Sequence, residues 1–152
     1  MKIHRDDPDP PMEIELRAAR IPVIGRVAHH YWLVIHDGEP ERWEIWQWRD
    51  AGGESWGHLH RNLLPYDQGV GNGPSWVVRR WSGEPAAELA TRITQSPRSY
   101  PWRDRYLPWP GPNSNTFVRW VIGDARLMGW QAFGKHYPVW RRRHRSSVRA
   151  AA

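Results

Sequence analysis

The stretch WPGPNSNTFVRW, Trp109 to Trp120, sets Asn113, Ser114 and Asn115 directly behind a Pro-Gly-Pro turn and ahead of an apolar stripe at helical spacing. Side chains of this kind accept the unpaired N–H groups that open a helix, so a cap is one reading. One cap needs only one such residue. Three in succession admit a second reading, in which Ser114 is a nucleophile that gains from the positive end of the helix macrodipole and from N–H groups able to hold an oxyanion. A serine hydroxyl needs a base to attack a carbonyl at neutral pH, and histidine is the usual one.

His29 and His30 stand in the stretch AHHYWLVIH, where an extended chain sends neighbours to opposite faces, so only one of them can serve a given site. His30 shares a face with Trp32 and Val34, expected to be the face that the helices cover. A satisfied, partly buried core histidine is the competing reading. Glu44, on the returning strand, is the candidate to orient the ring; an exposed strand carboxylate is its alternative. Trp102 and Trp109 suit a substrate-facing rim, since aromatic faces stack on sugars, acyl chains or bases, and a hydrophobic plug that holds the loop down fits them equally.

These residues need a scaffold. MEIELRAAR alternates as a half-buried strand should, RVAHHYWLVIH is rich in β-branched and aromatic residues, and Asp37-Gly38 marks a hairpin into RWEIWQW. SWVVRRW from Ser75 adds another strand, and the sheet is expected to be antiparallel. GEPAAELATRITQSP changes the period, with Ala86, Leu89, Ala90 and Ile93 on one face until Pro97 ends the pattern. A second helix is expected from about Asn113, with Phe117, Trp120 and Val121 packed and Gly123 near its end. The result is an α+β fold.

A chain of 152 residues supports one domain, placed at residues 1–140, and its 12 tryptophans supply large areas to bury. Without cysteine there is no disulfide framework and no thiolate chemistry. No apolar run has the length of a signal peptide core or a membrane span, which points to a soluble, by default cytoplasmic chain unless export needs no such signal. Five arginines between Arg141 and Arg149 account for nearly all of the net charge of +6, so the basic character belongs to a tail, residues 141–152, expected to be disordered. That tail can contact nucleic acid or an anionic membrane, and nucleic-acid binding through it would show a steep salt dependence. His58 and His60 are two apart, but no cysteine or spaced acid completes a metal set, and loop positions facing solvent are expected for both. GVGNG, Gly69 to Gly73, lacks the flanking strand, helix and Lys-Ser/Thr of a phosphate loop. No metal and no cofactor are expected.

The string GPNSNTF, together with AHHYWLVI, ELRAARIP and ERWEIW, resembles a bacterial family of uncharacterised proteins over about Glu13 to Val121. The layout also resembles the circularly permuted papain-like group, which includes NlpC-type peptidases and lecithin retinol acyltransferase relatives. There a strand histidine precedes a nucleophile at a helix N-terminus, and the nucleophile is generally cysteine where this chain has serine. The resemblance implies that Ser114 attacks, that His30 takes its proton, and that N–H groups at the helix start, with Asn113 or Asn115, hold the oxyanion. It implies a hydrolase or acyltransferase acting on an amide or ester of the cell envelope, a peptidoglycan peptide or a lipid. A catalytically inactive module that binds a cell-wall, lipid or protein ligand is the alternative.

Overall fold

The structure is a computed structural model and describes residues 8–140. Six strands form one antiparallel sheet: β1 (Glu13–Arg20), β2 (His29–His36), β3 (Glu41–Ile45), β4 (Glu54–Trp56), β5 (Leu59–Arg61) and β6 (Ser75–Ser82), in the spatial order β4-β5-β3-β2-β1-β6. Two helices follow, α1 (Gly83–Ser99) and α2 (Ser114–Ile122). The architecture is α+β. The basic tail lies outside the described residues.

Alternation sorts the two faces of the sheet. Ile14, Leu16 and Ala18 of β1, Tyr31, Leu33 and Ile35 of β2, and Trp43 and Ile45 of β3 project to one side, where they pack with Leu89 and Ile93 of α1 and Phe117 and Val121 of α2. His30 lies on the other side. The expectation that helices cover its face is therefore corrected: Trp32 and Val34 form a second, small cluster with Ala19, and the loop after β5 covers it through Tyr66 and Val70. Trp32 Nε1 donates to the Tyr66 carbonyl, which fastens that loop down.

Three further expectations need correction. α1 continues two residues past Pro97, because Ser96 Oγ donates to the Ile93 carbonyl, the acceptor that the missing Pro97 N–H would have used. Glycine-rich sequence between Asp50 and Asn62 contains the short strands β4 and β5, too brief to show alternation. His60, on β5, is fully buried and His58, in the turn before it, nearly so, and neither faces solvent. His60 Nδ1 donates to the His58 carbonyl and Nε2 accepts from the Ala51 N–H, an arrangement open only to a neutral ring.

Burial holds the His60 pKa below its ordinary 6.5, despite a raising influence from the His58 carbonyl and Glu44. His29 is lowered as well, by burial first and by Arg20. Below pH 6.5 the unfolded chain takes up protons that these two folded imidazoles refuse, so their contribution to stability is complete above that value and declines as the pH falls beneath it. Urea unfolding between pH 7.5 and 5.5, read with the His60 ring resonances, should show a falling midpoint and a His60 ring that titrates below its ordinary 6.5. An imidazole titrating above 6.5 would refute this.

Candidate functional site

Each of the three polar residues at the start of α2 has a separate structural task. Asn113 is the cap: its Oδ1 accepts from the N–H groups of Asn115 and Thr116, while Thr116 Oγ1 accepts from the Asn113 N–H to close a capping box. Asn113 Nδ2 also donates to the Pro108 carbonyl. Asn115 reaches back to β2, accepting from the Tyr31 N–H at 3.0 Å and donating to the carbonyls of His29 and Phe133, both at 2.9 Å. Both of its amide hydrogens are thereby committed.

Ser114 acts as a wedge. Beyond the Leu33–Trp43 pair, its Oγ donates to the Tyr31 carbonyl at 2.8 Å and accepts from the Ile45 N–H at 3.2 Å, spanning β2 and β3 through a side chain. The helix start is thus stitched into the open end of the two strands. Asn115→Ala would leave the Tyr31 N–H and the His29 and Phe133 carbonyls without their partner. At about 1–3 kcal/mol for each buried polar group so orphaned, a stability loss of about 3 kcal/mol or more is expected. Chemical denaturation measures it, and a loss within about 0.5 kcal/mol, the ordinary range for surface changes, would contradict this role.

His30 Nε2 and Glu44 Oε2 are 2.7 Å apart, and Arg42 Nη2 donates to the same oxygen at 2.8 Å. Glu44 and Arg42 are fully buried. Burial alone would raise the Glu44 pKa, but hydrogen bonds and charge from His30 and Arg42 outweigh it and hold the carboxyl below its ordinary value. An ionised carboxylate only accepts, so the hydrogen between the two groups sits on His30 Nε2. In the neutral ring Nδ1 then carries the lone pair, and it has no hydrogen-bond partner among the described residues. Glu44 is therefore not an exposed strand carboxylate. Its other oxygen, Oε1, is buried without a hydrogen-bond partner among the described residues.

Arg42 anchors this arrangement, and sequence reasoning missed it. Its guanidinium lies 3.9 Å from the Trp32 ring centroid and donates to the carbonyls of Pro65 and Gln68, tying the covering loop to the carboxylate beneath His30. The signal was present: Arg42 and Glu44 are opposite charges two apart on a strand, hence on one face, and that face is His30's. Trp32 and Trp46 flank the His30 ring, with centroids at 5.7 and 5.9 Å.

His30 and Ser114 line one cavity of about 190 Å³, closed in by Ile24, Ile45, Trp46, Tyr106 and Phe133 among others. Asn113 and Asn115 also line it; Glu44 stands behind the histidine. The two tryptophans part company. Trp102 donates from Nε1 to the Pro138 carbonyl and packs against Tyr137 and Trp140, away from the cavity. Trp109 is 70% exposed, meets the Phe133 ring edge-on, and lines a neighbouring groove that shares Phe133 with the cavity. Among the described residues there is no cluster of three or more His, Asp or Glu side chains able to hold a metal ion, and no helix is long and apolar enough to cross a membrane.

No curated protein and no solved structure matches the chain. A family model described as "Protein of unknown function (DUF3750)" matches residues 11–137, nearly the whole sheet-and-helix body, and the chain belongs to that family.

Proposed function

We propose that the protein is a serine/histidine-dependent hydrolase or acyltransferase of permuted papain-like type, acting on an amide or ester of the cell envelope. The observation that supports this reading is the shared cavity, whose wall includes both an imidazole with a free Nδ1 and a buried carboxylate behind it, and a hydroxyl on the first turn of a helix. Charged groups so deeply buried are costly, and their placement beside a recess fits chemistry better than packing.

In the proposed reaction the Ser114 hydroxyl turns from the Tyr31 carbonyl toward His30 Nδ1. Oγ attacks the substrate carbonyl carbon while its proton passes to Nδ1, and the imidazolium is balanced by Glu44. The Ile45 N–H and the helix start favour negative charge on Oγ as it forms. The Ser114 N–H, which has no acceptor among the described residues, and the Asn113 amide are the donors for the substrate oxyanion. His30 then returns the proton to the leaving amine or alcohol, and water or an acceptor nucleophile releases the acyl group from Ser114.

A second reading is favoured by the resting bonds of Ser114, whose hydroxyl is engaged with both strands. On that reading the cavity binds a ligand and the serine only stitches the fold. Hydrolysis of a p-nitrophenyl ester separates the two. Catalysis predicts turnover that falls at least about 100-fold in Ser114→Ala. Undiminished turnover in that variant, or none in the native protein with any short-chain ester or amide, favours the binding module.

A further inference from the structure

The cavity opens among exposed apolar side chains that the catalytic reading does not use. The β1–β2 loop, closed by the Ile21 N–H to the Ala28 carbonyl, carries Val23 fully exposed and Ile24 and Val27 about half exposed. Val23 sits at φ 71°, a left-handed conformation that β-branched residues rarely adopt, so the loop holds an apolar tip outward at the cost of strain. Ile24 lines both the cavity and a recess formed by this loop and the segment Val70–Pro74. On the other side Phe133 joins the cavity to the groove of Trp109 and Trp130, which are 70% and 65% exposed.

Loop recess, cavity and tryptophan groove therefore form a continuous apolar surface. None of the residues lining any of the three is an Asp or Glu, while Arg20, Arg26 and Lys135 are among them. Protruding aliphatic residues, paired tryptophans and cations without acids are the chemistry of a surface that enters the headgroup region of an anionic bilayer. A protein partner would equally meet the apolar side chains, but the one-sided charge complements a negative surface.

We propose that this face docks on an anionic lipid bilayer, with the β1–β2 loop and the Trp109–Trp130 pair inserted at the interface and the cavity facing the membrane. The inference does not rest on catalysis, because binding is also read in Ser114→Ala.

The test is co-sedimentation of the full chain with vesicles of phosphatidylcholine alone and of phosphatidylcholine with one-third phosphatidylglycerol, alongside tryptophan fluorescence. Binding to the anionic vesicles with a blue-shifted emission is expected, weakened about tenfold in Val23→Asp/Ile24→Asp and again in Trp109→Ala/Trp130→Ala. These side chains are exposed, and unchanged melting curves verify that the variants fold. Absence of binding to anionic vesicles overturns the proposal. So does binding that the rim variants leave intact and high salt abolishes, which would assign it to the arginine tail.

Discussion

Glu44→Ala should destabilise the protein by about 3–5 kcal/mol. The reason is the Arg42 guanidinium, fully buried and always charged, for which Glu44 is the ion-pair partner at 2.8 Å. Its bonds to the Pro65 and Gln68 carbonyls supply dipoles but no compensating charge. His30 would lose its acceptor as well. A double-mutant cycle isolates the pair: Glu44→Ala should cost much less in an Arg42→Ala background, where no cation is left stranded. Equal costs in the two backgrounds would mean that the carboxylate matters only as filling.

The second large effect is chemical. His30→Ala removes the lone pair that the proposed mechanism uses to take the Ser114 proton, and acid–base groups of this kind contribute about 100- to 10,000-fold in rate. Ester turnover should fall by that factor. Stability should fall less than in Glu44→Ala, since Arg42 keeps its carboxylate and the His30 side chain is already partly exposed. His30→Gln, which restores a hydrogen bond to Glu44 without a base, should recover stability and not turnover. Recovery of both would reduce His30 to a packing residue.

The sheet was legible where alternation ran long enough to show. β1 and β2 each have eight residues, and their inward residues pack against helices whose own apolar spacing was clear. β4 and β5 were not, because three residues carry no period, and the burial of His58 comes from the distant Arg103 carbonyl and Tyr106 ring rather than from its neighbours. The side of the sheet that bears His30 was misassigned for a related reason. Tyr31, Leu33 and Ile35 compete with Trp32 and Val34 for the helices, both sets are apolar, and only the loop that carries Tyr66 and Val70 decides between them.

At the site, the hairpin reading put Glu44 on the strand beside His30 and cap chemistry was enough to begin α2 near Asn113, while the shared face of His30 and Glu44 follows from the strand register. What local sequence could not convey is the division of labour among Asn113, Ser114 and Asn115. Redundant as caps, they are distinct as stitches, because two of them bond to strands more than sixty residues away along the chain. That stitching means Ser114→Ala also carries a structural cost, the Ile45 N–H and Tyr31 carbonyl losing their shared partner. Activity loss in Ser114→Ala therefore has to be read against its unfolding curve.

Exposure of the folded protein to a fluorophosphonate, followed by peptide mapping, bears most directly on whether the Ser114 oxygen is nucleophilic. Attack on phosphorus expels fluoride and leaves a stable phosphonyl ester on the reacting residue. The account predicts a single adduct on Ser114 that forms in the native protein and not in His30→Ala. An unmodified Ser114 under conditions that label a control serine hydrolase, or labelling that ignores the loss of His30, would contradict it.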